Sequence, residues 1–209
     1  MGQAIACPTL AAAHVEGQLK PSAPLQRYVG PIIRRWLCGS AHLDLSAERT
    51  RERFTRFSAI LSTSGLRSAL ADALSETDYR YIALFRLNGD RASSAIFYDR
   101  TKPEVLLAQE VPAIASYCAF TRDTKQPFVT ANSLVDSRLD DHVSRESVRA
   151  YCGIPILTPE GEFLGTLCHY DDVPRDPTQV DMALMCEIAS ALEQGGHVPP
   201  YPNLPMLTA

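Results

Sequence analysis

Six cysteines are the residues of this chain best suited to chemistry, and their spacing limits what that chemistry can be. No two of them lie two to four residues apart, so the sequence does not predict an ordinary zinc site. The N-terminus lacks a basic stretch followed by an unbroken apolar one, so a secretion signal is not predicted either. We therefore expect reduced thiols in a cytoplasmic protein, with neither a disulfide framework nor a bound metal.

Three of the cysteines could act as nucleophiles or as a redox pair. Cys118 follows Tyr117 in a segment with helical spacing, where a thiol could react with an oxidant or could simply be a small buried side chain. Cys152 and Cys168 stand on the two arms of a predicted hairpin, eight residues either side of Glu160. A symmetric register would bring these two thiols within reach of each other. The residues leave open a redox pair or free buried cysteines, and we assign no catalytic residue.

A polar loop adds two further candidates for contact with a ligand. Asp136 and Arg138 follow a short predicted strand, where hydrogen bonds could read the polar edge of a bound molecule. The Asp136 carboxylate could equally cap the loop or pair with Arg138. The sequence leaves both roles open.

Apolar periodicity and turn residues predict the elements that must position these side chains. Asn88-Gly89 joins two strands in a strong hairpin signal, and Pro159 to Gly161 forms the turn of a second hairpin. The predicted strands cover 79–87, 92–99, 128–131, 151–158 and 162–170. The predicted helices run from an N-cap at 46 to a break at 65, then over 66–74, 112–123, 142–149 and 179–194. Helices flanking an antiparallel sheet define the α+β class.

The second hairpin resembles the last hairpin of GAF domains, the small-molecule sensor modules of bacterial signalling proteins. Between positions 153 and 175 it runs Gly-Ile-Pro-Ile, a Pro-Glu-Gly turn, Leu-Gly-Thr-Leu-Cys, an acidic pair and Pro-Arg. The resemblance continues upstream through residues 117–121, 126–129 and 136–138. It implies a GAF-like antiparallel sheet of about six strands flanked by helices, over residues 49–195. Residues 1–48 are then an extension with a linker and a possible docking helix, and residues 196–209 a Pro-rich tail.

The resemblance also implies where a ligand would bind. It places the ligand between the sheet and the segment 112–148, and it places the first and last helices on the opposite sheet face. Those helices either close the core or form a homodimer seam, because one helix cannot easily do both. The implied pocket walls are Tyr98, Cys118, Phe120, Thr121, Asp136, His142, Arg149, Cys152, Thr166 and Cys168.

Some members of the family have sequence motifs for a particular cofactor or ligand, and this sequence can be compared with those motifs. Cys168-His169 looks like the pair that anchors a linear tetrapyrrole in phytochromes, but the attachment cysteine would belong near residues 142–149, where none occurs. Covalent bilin binding is therefore disfavoured. His142 or His169 could be a haem ligand, or a solvated or capping histidine. The cyclic-nucleotide signature of phosphodiesterase members is not recognisable, so the ligand and any cofactor stay unknown.

The favoured function is a cytoplasmic, bacterial-type sensor without catalysis of its own, signalling through a dimer or a partner protein. A net charge of −4 offers no field that would attract nucleic acid or an anionic membrane, and no apolar run is long enough to span a bilayer. One alternative is a thiol-dependent oxidoreductase like free methionine sulfoxide reductase, using Cys118 with Cys152 or Cys168, although that family's Cys-Asp motif is replaced here by residues 140–144. The other is a ligand-free dimerisation module.

Overall fold

A computed structural model describes residues 40–201 of the 209-residue chain, with side chains from Leu45 onward. The predicted docking helix within residues 1–48 lies largely outside the described residues, as does most of the predicted Pro-rich tail.

Within residues 40–201, four α-helices frame the domain. The first begins well before the predicted N-cap at Ser46 and ends at Ser64, where Gly65 adopts a φ of 83° that side-chain-bearing residues rarely tolerate. The helices are α1 (Ser40–Ser64), α2 (Leu66–Ser75), α3 (Cys118–Thr124) and α4 (Met182–Gln194). Asp181 caps α4, because its carboxylate accepts a hydrogen bond from the Leu184 backbone N–H.

Six strands form one antiparallel sheet, which confirms the predicted α+β, GAF-like architecture. The order across the sheet is β3-β2-β1-β6-β5-β4. The strands are β1 (Tyr81–Asn88), β2 (Arg91–Asp99), β3 (Val111–Pro112), β4 (Phe128–Thr130), β5 (Ala150–Leu157) and β6 (Phe163–Asp171). Gly89 and Gly161, with φ of 57° and 84°, make the two hairpin turns that their sequences predict.

The sheet has two apolar faces of different character. On the helical face, α1, α2 and α4 cover side chains such as Ile82, Leu84, Ile154 and Leu167. On the opposite face, which we call the aromatic face, α3 and the loops cover a second apolar cluster. Its members include Phe85, Phe97, Tyr117, Cys118, Phe128, Tyr151 and Cys168, with Tyr81, Phe120 and Tyr170 packed against them.

Two predicted helices differ from the structure. Residues 142–149 form successive turns instead of a helix. The Ser144 side chain donates a hydrogen bond to the Ala115 carbonyl, 2.6 Å away, and ties this segment to a neighbouring loop. The predicted helix at 112–123 is divided into a 3₁₀ turn, Ala113–Ala115, and the later helix α3, because Ser116 adopts an extended conformation between them.

Among residues 40–201, no helix combines the length and the apolar character needed to cross a membrane.

Candidate functional site

The aromatic face is filled by rings that contact one another. The Phe120 and Phe128 rings stack with centroids 4.5 Å apart, and the Tyr117 ring lies 4.5 Å from His142. A second stack brings the Tyr81 and Tyr170 rings to 4.6 Å. Ring pairs at these distances contribute about 0.5–1.5 kcal/mol each beyond the area they bury. Several strands and loops therefore contribute rings to this face, and contacts between the rings fix their positions.

Hydroxyl groups lie buried beneath these rings. Thr121 and Thr166 share a hydrogen bond of 2.6 Å between their side-chain oxygens, and both side chains have no exposed surface. The Tyr151 hydroxyl donates to Sγ of Cys118 at 3.4 Å. Buried polar groups of this kind are normally kept only when partnered, and here they partner one another.

The local sequence explains how these groups meet. Cys118 opens helix α3, and Thr121 follows three residues later, so both point to the sheet. Thr166 and Cys168 are two residues apart on β6 and therefore share a face. One short helix and one strand thus supply two hydroxyl or thiol groups each.

The two thiols of this cluster differ in acidity. Burial alone would raise the pKa of Cys118, but hydrogen bonds from Cys168, Ser116, Tyr151 and Thr166 outweigh it and lower the pKa to about 7. Burial and the neighbouring Cys118 sulfur raise the pKa of Cys168 well above its usual range. The Cys118 and Cys168 thiols therefore interact directly, and the donors around Cys118 favour its thiolate form.

The structure brings six of the ten predicted pocket residues together on the aromatic face. These are Cys118, Phe120, Thr121, His142, Thr166 and Cys168. Burial lowers the pKa of His142, which favours its neutral form.

Asp136 and Arg149 lie in the loops near this face and are bonded to other protein groups. Asp136 forms an ion pair with Arg138 at 2.6 Å, and this pairing lowers the pKa of the Asp136 carboxyl to about 2. Arg149 donates to the Asn132 side chain at 3.0 Å. The loop-structuring role that the sequence left open for Asp136 is the one the geometry shows.

Cys152 and Tyr98 lie on the helical face, so their prediction as walls of the same pocket is wrong. Sγ of Cys152 is 3.0 Å from Sδ of Met182 on α4, and the Tyr98 ring lies under the Arg67 guanidinium of α2. Cys152 pairs across the ladder with His169, and Cys168 pairs with Gly153. A redox pair of Cys152 with Cys168 is therefore excluded by the register.

Several rings of the aromatic face were not predicted as pocket residues. They are Tyr81, Phe97, Tyr117, Phe128, Tyr151 and Tyr170. Alternation along the strands could have indicated Tyr170, because it shares the parity of Thr166 and Cys168.

In the described part of the chain, small cavities are found outside this face. One, of about 20 Å³, lies on the helical face beside His169, Thr77 and Met185. The other, of about 10 Å³, lies between β5 and α4 at Pro155 and Ala189. A cavity of about 20 Å³ can hold a single water molecule. A larger molecule on the aromatic face would have to displace side chains that now fill it.

Residues 63–195 match the GAF domain family, so well over half of the chain carries its pattern and the chain belongs to that family. Over 81 residues, or 37% of this chain, the sequence is 36% identical to a cyclic di-GMP phosphodiesterase of Pseudomonas aeruginosa. That stretch spans 14% of the phosphodiesterase.

Solved structures share the fold at low sequence identity. Free methionine-R-sulfoxide reductase from Neisseria meningitidis, solved in complex with its substrate, is 15% identical with a TM-score of 0.56. The similarity covers 71% of this chain and 89% of the reductase. A GAF sensor protein from Burkholderia vietnamiensis is 13% identical with a TM-score of 0.51, over 69% of this chain and 93% of that one. These likenesses show the fold alone.

Proposed function

We propose that this chain is a sensory module that binds a small molecule at the aromatic face and performs no catalysis of its own. The observation that carries the proposal is the set of buried hydroxyl and thiol groups beneath an aromatic surface, with Thr121, Thr166 and Tyr151 at its centre. Binding sites typically combine an apolar lining with a few convergent polar groups. The GAF family is typically sensory, which agrees with this function.

Signal output would pass through a homodimer or a cytoplasmic partner protein. Helices α1 and α4 pack beside each other on the helical face, and Leu45 on α1 is 68% exposed. A second copy bound along α1 would cover this side chain. Sedimentation of the full chain over a range of concentrations tests this, and a monomer at all concentrations would remove the dimer.

Native mass spectrometry with an absorption spectrum, on protein purified without added ligand, tests the binding function. A retained small molecule should be lost in Thr121→Val, which removes one buried hydroxyl at nearly constant volume. Cys152→Ala is the matched control, because it removes a buried group from the helical face. Retention in Thr121→Val together with loss in the control would place the ligand elsewhere and contradict the proposal. A ligand-free dimer would instead favour the dimerisation module.

A thiol-dependent oxidoreductase is the second candidate, and the Cys118–Cys168 contact is the observation that favours it. The Cys118 thiolate would take the oxygen of a sulfoxide together with one proton from solvent, which gives a sulfenic acid and releases the thioether. The Cys168 thiol would then attack the sulfenic sulfur, which forms the disulfide and releases water. An external dithiol would restore both thiols. Turnover of free methionine sulfoxide by the wild type and its loss in Cys118→Ser would support this activity, whereas absence of turnover in both proteins would remove it.

A further inference from the structure

Exposed apolar side chains cluster on the loops that cover the aromatic face. Four of them are 40–80% exposed, namely Ile114, Leu134, Val135 and Val143. Hydrogen bonds join the three loops that carry them. Ser144 donates to the Ala115 carbonyl at 2.6 Å, and Arg145 donates to the Leu134 carbonyl at 3.0 Å. The four side chains therefore belong to one surface, which we call the loop patch, and clusters of this kind mark sites of interaction.

The loop patch is bordered by two carboxylates that no cation balances. Asp141 and Glu146 are exposed, and neither forms an ion pair with another residue of the described range 45–201. The arginines of the same loop are each bonded to a neighbouring side chain, in the pairs Arg138–Asp136, Arg145–Asp140 and Arg149–Asn132. Because Asn132 is neutral, the charge of Arg149 offsets one of the two carboxylates, and the loop 131–149 keeps a net negative charge.

A segment of opposite charge precedes helix α1 in the sequence. Residues 17–39 contain four basic side chains, at positions 20, 27, 34 and 35, and no acidic one. Within this stretch, residues 32–37 read Ile-Ile-Arg-Arg-Trp-Leu, which places two arginines between pairs of large apolar residues. The loop patch presents apolar side chains beside carboxylates. The segment and the loop patch are therefore complementary in both polarity and charge.

Helix α1 reaches the end of the sheet at which the loop 131–149 begins and ends. Thr50 of α1 donates to the Asp181 carboxylate at 2.7 Å. The next residue, Met182, contacts Cys152 near the start of β5, with its Sδ 3.0 Å from Sγ. The loop 131–149 leaves β4 and enters β5 at this same end. The chain that precedes Thr50 therefore lies on the side of the domain from which the loop patch is built.

The segment 32–37 is close enough to α1 to reach the loop patch. Residues 45–49 of α1 are exposed, and the helix begins at Ser40, about 15 Å from Thr50 along its axis. The eight residues between Ile32 and Ser40 can span up to about 28 Å when extended. This length is enough to pass from α1 around the end of the sheet to the loops on the aromatic face.

We propose that residues 32–37 dock on the loop patch of their own chain. Their apolar side chains would cover the four residues of the loop patch, and their two arginines would lie beside Asp141 and Glu146. His142 of the same loop contacts the Tyr117 ring, with centroids 4.5 Å apart. The docked segment would therefore hold this loop against the aromatic face and restrict access to it. The inference does not depend on which ligand, if any, that face binds.

Trp36 is the only tryptophan of the chain, so its fluorescence tests the proposal on the full-length protein. Docking shields the indole from water, and we expect blue-shifted emission with acrylamide quenching several-fold weaker than in urea-unfolded protein. Ile114→Ser combined with Val143→Ser removes half of the loop patch and should shift the emission to the red and raise the quenching towards the unfolded level. Both side chains are exposed, so the fold should not change.

A matched control removes two exposed apolar side chains from another surface. Leu106→Ser combined with Leu107→Ser should leave the emission and the quenching of Trp36 unchanged. These leucines lie on the loop between β2 and β3, where the Val105 carbonyl accepts a hydrogen bond from Arg67 of α2 at 3.2 Å. An effect as large as that of the loop-patch variant would show that Trp36 docks elsewhere.

An exchange of charge tests the two arginines. Asp141→Arg combined with Glu146→Arg should raise the quenching of Trp36, because like charges then face each other. Adding Arg34→Glu and Arg35→Glu in the same chain should restore the shielding, and a failure to restore it would remove the arginines from the contact.

Two further outcomes would overturn the proposal. In the first, Trp36 is quenched equally in the native wild type and in urea, or is shielded equally in the wild type and in the loop-patch variant. In the second, shielding appears only as the protein concentration rises, together with a dimer mass in sedimentation, which would show docking between two chains and not within one.

Discussion

The hydroxyl of Tyr151 donates a hydrogen bond to Sγ of Cys118, 3.4 Å away, across the centre of the aromatic face. Burial and the two neighbouring cysteines raise the pKa of the Tyr151 phenol well above its usual range, so the phenol does not lose its own proton. Tyr151 therefore stays protonated and stabilises negative charge on the sulfur. The acidity of the Cys118 thiol therefore depends on the position of the Tyr151 ring.

Removing that hydroxyl should make Cys118 less acidic. In Tyr151→Phe the ring keeps its contacts but loses the donor, so we expect the pKa of Cys118 to rise from about 7. The ¹³Cβ chemical shift of labelled cysteine, followed from pH 5 to 10, measures the change. Cys152 provides an internal control, because burial raises its pKa to about 12 and its signal should stay constant in both proteins. An unchanged Cys118 titration would show that Tyr151 does not influence the sulfur.

The Tyr151 ring also limits which residue can occupy position 153. Its ring lies across Gly153, and a Cβ at that position would overlap the hydroxyl and the ring edge. The ring cannot easily move aside, since it packs edge-on against Tyr117 with centroids 5.6 Å apart. We expect Gly153→Ala to lower the free energy of unfolding by about 1–3 kcal/mol.

A double-mutant cycle isolates the cause of that loss. In a Tyr151→Ala background the overlapping atoms are absent, so Gly153→Ala should cost much less than in the wild type. Urea unfolding of the four proteins measures the difference. Equal costs in both backgrounds would mean that the strand backbone, and not the Tyr151 ring, requires the glycine.

The sequence predicts the sheet and its hairpins well because their signals are local. Asn88-Gly89 and Gly161 supply positive φ within the turns themselves, and the alternation of Thr166 and Cys168 fixes one face of β6. Each of these features depends on residues that are close in the chain. The structure accordingly confirms the five predicted strands within one or two residues of their bounds. Strand β3 was missed, because its two residues lie where the sequence predicts the start of a helix.

The position of Cys152 could not be predicted, because Pro155 indicates a sheet edge or a bulge without fixing which of them occurs or where the register shifts. A hairpin symmetric about Glu160 pairs Cys152 with Cys168, but the register shifts between Ile156 and Leu157. One extra residue there places Cys152 opposite His169. Since side chains alternate, this single step moves Cys152 to the helical face and brings Tyr151 to the aromatic face.

The buried hydroxyls of Thr121 and Thr166 should contribute jointly, and not additively, to the free energy of unfolding. Thr121→Val removes one partner of the 2.6 Å bond and leaves the Thr166 hydroxyl buried without it, which should cost about 1–3 kcal/mol in the free energy of unfolding. Thr121→Val with Thr166→Val removes both groups and should cost less than the sum of the single changes. Thermal and urea unfolding measure the cycle, and additive costs would contradict the coupling.

His169 should make the domain less stable in mild acid. Its side chain is buried on the helical face, its two ring nitrogens have no protein partner, and its ring lies 5.9 Å from that of Tyr79. Burial, aided by the charge of Arg100, lowers its pKa to about 3. The unfolded chain therefore binds a proton below about pH 6.5 that the folded protein does not bind until about pH 3. Protonation of His169 therefore does not affect the free energy of unfolding above about pH 6.5, and it lowers that free energy as the pH falls from about 6.5 towards about 3.

His169→Phe removes the titrating group from that site, and the cavity of about 20 Å³ beside it gives a phenyl ring room. Between pH 8 and pH 5 the wild type should lose about 2 kcal/mol of unfolding free energy more than the variant does, because only the wild type has this histidine to protonate in its unfolded chain. Urea unfolding of both proteins at the two pH values measures the difference. Parallel pH dependences would mean that His169 is protonated equally in the folded and unfolded states, and therefore has a hydrogen-bond partner such as a bound water.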